Sequence, residues 1–167
     1  ELSRYNLSSI PRDAAGYGPG WLPTGPGEKI VCLKNQNDSG LINGMFVTLD
    51  DVVDEGSLFF SAVVPDEDGH RVGPPLPDGT RGRLRIYKGH FEDHVAFDTH
   101  RHDRDWKPKR MLTEATFGWA ITCHKAQGSA WSNVVVWDDG LGRTELDRKR
   151  WLYTAITRAE QGLVILA

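Results

Sequence analysis

Thr122, His124, Lys125 and Gln127 fall close together and are closed by Gly128-Ser129, directly after an alternation of Phe117, Trp119 and Ile121. That alternation is the period of a half-buried strand. Hydrogen-bonding side chains gathered where an apolar strand ends are what open α/β sheets offer to ligands. Farther on, Arg158 ends the run Tyr153-Thr154-Ala155-Ile156-Thr157-Arg158-Ala159. A guanidinium there offers a phosphate a planar fork that stays charged at any working pH. The competing structural readings are simple: Arg158 paired with an acid at a helix end, Gln127-Gly128 as a tight turn, and the His124 imidazole bonded to backbone.

A complete phosphate-transfer site also needs a cradle of the form G-x-x-x-x-G-K-[ST] and an acidic partner for the metal. No Gly-Lys-Ser or Gly-Lys-Thr occurs in the chain. A HExxH helix, paired carboxylates and a Ser-His-Asp set also lack support. His90 and His94, with His100 and His102 nearby, raise the question of a metal. The run Gly89-His90-Phe91-Glu92-Asp93-His94 reads instead as a turn between strands, and no metal site is assigned. The sequence therefore carries half of a site.

The elements that must position these residues follow in chain order. Residues 1–27 are dense in Gly and Pro, which predicts an extended connector without regular helix, pinned by Ile10, Trp21 and Leu22. Glu28 to Leu33 reads as a short buried strand, and its consecutive apolar residues suit a parallel sheet. Asn43-Gly44 predicts a type I′ turn between Leu41-Ile42 and Met45 to Leu49. Further β segments are expected at Leu58 to Val64 and Arg83 to Tyr87, flanking a polar loop over 65–82. The run from His100 to Arg110, with Trp106 inside it, is either a phosphate-tracking strip or a solvated connector. Asn133 to Trp137 reads as a strand and Leu146 to Arg158 as a helix, with Trp151, Leu152, Ala155 and Ile156 on one face. Leu163 to Leu166 should be a last buried strand, and the β–α–β order implies a right-handed crossover in a parallel sheet.

Ile121-Thr122-Cys123-His124-Lys125-Ala126-Gln127-Gly128-Ser129 resembles motif V of superfamily 1B DNA helicases of the RecD and Dda type, the class that includes the exodeoxyribonuclease V alpha subunit. Tyr153 to Ala159 resembles their motif VI. Gly27 to Asn35 with Asn43-Gly44 resembles the strand and turn that enter their second motor domain. The resemblance spans roughly residues 27–50 and 112–167. It implies an α/β fold: a RecA-like motor domain (2A) of the P-loop-NTPase type without Walker A, built from 28–40 plus 111–167. A small SH3-like β-barrel (2B) would be inserted at 41–110.

The same resemblance implies roles. Arg158 would be the catalytic finger reaching the γ-phosphate of ATP, with Gln127 and Gly128 lining the nucleotide cleft. Thr122, His124, Lys34 and Asn35 would contact single-stranded DNA. Relatives usually carry Glu two residues after Gly128 where this chain has Ala130, so Ala130 is not counted as a site. Trp131 reads as core packing. ATP and Mg²⁺ would be held mainly by an N-terminal RecA-like domain (1A), and no cofactor is expected in this stretch alone. Nuclease subunits are a further class of partner. The helicase segment of a conjugative relaxase, or a non-catalytic nucleic-acid-binding module, would carry similar motifs.

With 167 residues and 39% hydrophobic content the chain can bury a real core,. A net charge of −3 gives no bulk attraction to nucleic acid, so any contacts must be local,. Two cysteines form no disulfide framework and suit a reducing cytoplasm,. No run approaches the ~18 apolar residues of a membrane span. Opening at Glu1 rather than Met suggests a fragment of a longer enzyme.

Overall fold

Glu28 stands at the head of the run Ile30-Val31-Cys32, and the first part of the fold is assembled around that run. The computed structural model describes residues 4–17, 22–56, 58–66, 68–91, 111–138, 140 and 142–166. It divides into two compact units, Glu1–Ala120 and Ile121–Ala167.

In the first unit, helix α1 (Arg4–Ala14) precedes β1 (Lys29–Cys32), β2 (Phe46–Thr48) and β3 (Asp51–Asp54). Then come β4 (Phe59–Pro65), β5 (Arg71–Val72), β6 (Leu84–Tyr87) and β7 (Ala115–Phe117). One sheet has the order β2-β1-β7, with Ile30 opposite Val47 on one side and Phe117 on the other. In the other, β4 pairs with β3, β5 and β6. Ile30, Cys32, Ala115 and Phe117 from the first sheet share one apolar core with Phe60, Ala62, Leu84 and Ile86 from the second. Phe91 meets Phe60 and Phe117 edge-on there.

Several sequence expectations are corrected here. β1 is antiparallel to both of its neighbours. Its apolar run reports burial on both faces, which either kind of sheet can provide. The Asn43-Gly44 turn does not join a local hairpin, because β2 pairs with β1. Its positive φ is confined to Gly44, at 87°, and Met45 N–H bonds Ile42 C=O at 3.0 Å. A type I′ turn needs positive φ at both central residues, so this is the type II pattern. The strand expected through Trp119 and Ile121 stops at Phe117. Gly118 then passes so close to β1 that a Cβ would meet the Ile30 carbonyl carbon at 2.9 Å.

The N-terminal expectation also changes: Arg4–Ala14 is helical although Pro11 lies inside it. Pro11 removes one helical hydrogen bond, and Ser8 and Arg12, four residues apart, are both buried. Ile10 is 59% exposed and pins nothing, Leu22 packs on the core, and Trp21 lies outside the described residues. Arg12 and Glu28 form an ion pair whose side chains are 2% and 0% exposed. Arg12 donates Nη2–H to Glu28 Oε1 at 2.5 Å and Nε–H to Oε2 at 3.0 Å. Thr24 N–H and Trp119 Nε1–H donate to the two remaining sites on the carboxylate. The guanidinium also lies 4.2 Å from the Phe117 ring centroid.

The second unit contains β8 (Trp131–Trp137), α2 (Glu145–Ile156) and β9 (Ala159–Leu166). β8 and β9 run parallel, with Val134 opposite Leu163 and Trp137 opposite Leu166, as the β–α–β order predicts. Thr144 caps α2: its Oγ1 accepts from Asp147 N–H at 3.1 Å and donates to the Asp147 carboxylate at 2.8 Å,. Asp147 thus sits at the positive helix end,. The final strand is not buried, since Leu163, Val164, Ile165 and Leu166 are 43–52% exposed. Among the described residues this sheet has two strands, and of these side chains only Val136 of β8 is fully covered. No helix among them is long and apolar enough to cross a membrane.

Truncating one partner of a buried pair leaves the other charge without compensation, at about 3–5 kcal/mol. Arg12→Met is therefore expected to lose that much stability in urea unfolding of the chain, followed by tryptophan fluorescence. A loss below about 1 kcal/mol, the range of an exposed pair, would contradict the arrangement.

Candidate functional site

The loop from Ile121 to Ala130 is a succession of tight turns. Thr122 C=O accepts from Lys125 N–H at 2.9 Å and from Ala126 N–H at 3.2 Å, and Ser129 N–H bonds Ala126 C=O at 3.2 Å. Ala126 is the buried residue of the loop. Thr122, His124 and Gln127 are exposed, whereas Cys123 and Lys125 are half-buried. Turn geometry thus puts the hydroxyl, the imidazole and the amide into solvent together. Gly128 has a φ of 85°, a backbone conformation that side-chain-bearing residues rarely adopt,.

Arg158 closes the other side of this loop. It follows α2 directly, and its backbone carbonyl accepts from Trp131 N–H at 2.9 Å, tying the helix end to the start of β8. Its guanidinium reaches three groups. Nε–H donates to Thr154 C=O at 3.1 Å, Nη1–H to Ser129 C=O at 3.0 Å, and Nη2–H to Thr157 Oγ1 at 3.1 Å. A guanidinium has five N–H donors, so each terminal nitrogen keeps one beyond these bonds. The competing reading, an Arg paired with an acid, is not what these bonds show: all three partners are neutral oxygens.

Cys123 is held within the same site, its thiol donating to Trp151 C=O of α2 at 3.5 Å. Burial raises its pKa, and the Arg158 charge pulls partly the other way. Cys32, in the core of the first unit, is pushed up to about 11 by burial alone. Asp138, at the end of β8, is held below the usual carboxylate range by the Arg148 guanidinium at 3.0 Å and by Gly140 N–H. Its contribution is present above the unfolded-state pKa and is lost as pH falls through the folded-state one.

The remaining predicted residues lie in the first unit and are already engaged. Lys34 Nζ sits 3.3 Å from Glu114 Oε1, and Asn35 Oδ1 accepts from Asn43 N–H at 2.7 Å. Asn35 thereby secures the Gly44 turn. Glu114 also bonds His90 Nε2 at 3.3 Å. His94, His100 and His102, and the whole basic run through Arg110, lie outside the described residues. Among the described residues, Asp66, Asp68 and His70 converge at the surface. Asp66 Oδ1 there accepts from the Asp68 and His70 backbone amides, the pattern of an ordinary turn.

Sequence reasoning missed the groups that hold Arg158. Ser129 and Thr154 act through backbone carbonyls, which every residue possesses, so their side chains carry no signal. Thr157 was visible as a hydroxyl beside the arginine at a helix end, where such residues bond back to the preceding turn.

Residues 117–166 match the UvrD-like helicase C-terminal domain family. Among solved structures, the chain is similar to a Pif1 helicase described in work on DNA unwinding at forked double-stranded DNA by two coordinating copies. The identity is 18%, the TM-score 0.50, and the match covers 85% of this chain and 27% of that one. It is also similar to Bacteroides Pif1 bound to single-stranded DNA, at 17% identity and TM-score 0.49, covering 85% of this chain and 29% of that one. For Pif1 from Candida albicans the values are 21% and 0.45, with 84% and 31% covered. The chain thus spans less than a third of the length of these structures. No curated protein matches it.

With Cys32 sealed in the core and Cys123 partly open, alkylation of the folded chain by iodoacetamide at pH 8 should label Cys123 first. Peptide mass spectrometry reads the order, and faster labelling of Cys32 would contradict the placement of both thiols.

Proposed function

We propose, from the premise that residues 117–166 are a UvrD-like helicase C-terminal segment on the fold of the C-terminal part of a superfamily 1B helicase, that this chain is half of an ATP-driven DNA motor. In this reading the other half is a RecA-like lobe (1A) that carries the phosphate cradle and holds ATP with Mg²⁺. The first unit would supply the SH3-like insertion at 41–110. Residues 28–40 and 111–167 would form domain 2A. The motor would be of the RecD type and move 5′→3′ along single-stranded DNA.

The observation that carries the reading is the bond from Arg158 Nη1 to Ser129 C=O, 3.0 Å long. It fixes the guanidinium beside the loop that bears Thr122, His124, Gln127 and Gly128. When ATP draws the two lobes together, Arg158 meets the γ-phosphate and offsets the charge that develops during transfer. Gln127 and Gly128 line the same cleft. Thr122 and His124, both exposed, bond phosphate oxygens of the strand without reading sequence. Lys34 and Asn35 add backbone contacts from the first unit. Different grip on the strand in the open and closed states makes stepping directional.

Two measurements test this. The 167-residue chain alone should show no ATP turnover with or without single-stranded DNA, because it has no Walker A sequence,. Turnover at ordinary enzyme rates would overturn the reading. In the longer protein, Arg158→Ala should lower kcat by about 10³-fold or more, with a KM for ATP close to that of the parent. An unchanged kcat would remove Arg158 from the chemistry.

A further inference from the structure

Thr157 is the residue around which the Arg158 contacts close. Its Oγ1 lies 2.8 Å from Tyr153 C=O and 3.2 Å from Thr154 C=O. One hydroxyl proton donates into this pair of carbonyls, which fixes the rotor and points an oxygen lone pair elsewhere. Arg158 Nη2 donates to that oxygen at 3.1 Å. Thr154 C=O takes Arg158 Nε–H, and Ser129 C=O takes Nη1–H. Three oxygens therefore hold the three guanidinium nitrogens, two of them at the end of α2, where unpaired carbonyls make the field negative.

The arrangement has a directional consequence. Arg158 is half-buried and its long side chain would otherwise sample many rotamers, each costing entropy to immobilise at the moment of reaction,. Each nitrogen that binds an internal oxygen loses one donor, and the two donors that remain belong to Nη1 and Nη2. A phosphate, with several acceptor oxygens, can take a bond from each. We propose that Thr157 is a positioning residue: its hydroxyl, with the Ser129 and Thr154 carbonyls, pre-sets Arg158 so that one N–H of each terminal nitrogen is presented to the transferring phosphate. This rests on Arg158 acting as the finger. The Cys123 thiol bond to Trp151 C=O anchors the same loop to the same helix, so Ser129 is held in register with Thr157.

The requirement is a hydroxyl and not a shape. Thr157→Val keeps the branched side chain and removes the oxygen, whereas Thr157→Ser keeps the oxygen and removes the methyl. The first readout uses the chain by itself and does not depend on the function. In the wild type and in Thr157→Ser, the Arg158 Nε–H should exchange slowly by NMR at near-neutral pH. In Thr157→Val it should exchange several-fold faster, and equal rates in all three would overturn the positioning role.

The second readout uses the longer protein with single-stranded DNA. Thr157→Val should lower kcat about tenfold, the scale of one lost hydrogen bond to a charged group, with KM for ATP within about twofold. Thr157→Ser should stay close to the parent. Affinity for ADP–aluminium fluoride relative to ADP should fall by the same factor in Thr157→Val, a ratio that general loss of stability does not move. A full kcat in Thr157→Val beside a collapsed kcat in Arg158→Ala would sink the role of Thr157 alone. A full kcat in Arg158→Ala would sink the finger itself.

Discussion

Glu28 is a carboxylate with no exposed surface, and the first unit is arranged so that it never lacks a donor. A carboxylate has about four lone-pair sites, and four N–H groups fill them: two from Arg12, one from Thr24 and one from Trp119. These donors come from a helix, a loop and the segment that leaves β7. An ionised group buried in this way is costly unless every site is satisfied. The geometry of three separate pieces of chain is consequently fixed by one side chain at the head of β1. Helix α1, which continues through Pro11, is the element that carries Arg12 to this carboxylate.

The second unit solves a related problem with the opposite sign. Arg158 is a cation at a helix end, and three neutral oxygens surround it where an acid would be the ordinary partner. A neutral cradle orients the guanidinium without cancelling its charge. A carboxylate in their place would have compensated that charge. Lys34 shows that contrasting case in the first unit, since Glu114 stands against it at 3.3 Å.

What was legible in the sequence followed from how local its cause was. The helix expected over Leu146 to Arg158 is found at Glu145–Ile156, and its presence and the parallel pairing of β8 with β9 follow from an apolar face and a β–α–β order within a short stretch. The loop at 122–129 and Arg158 belong to one compact unit, where Arg158 Nη1 bonds Ser129 C=O. Failures arose where the cause was distant. The direction of β1 depends on β2 and β7, which no apolar run in β1 can announce. The α1 helix depends on Glu28, sixteen residues beyond Arg12. A high density of Gly and Pro after residue 15 concealed the eleven-residue helix before it. Exposure of Leu163 to Leu166 was invisible for the same kind of reason: an apolar strand does not state what covers it.

The most direct test of the central claim is a structure of the longer protein closed around ADP–aluminium fluoride and single-stranded DNA. The account predicts an Arg158 terminal nitrogen about 3 Å from a fluoride that stands for a γ-phosphate oxygen, with the bond to Thr157 Oγ1 still in place. A closed complex in which the Arg158 guanidinium lies far from the fluoride, and another cation occupies that position, would contradict it.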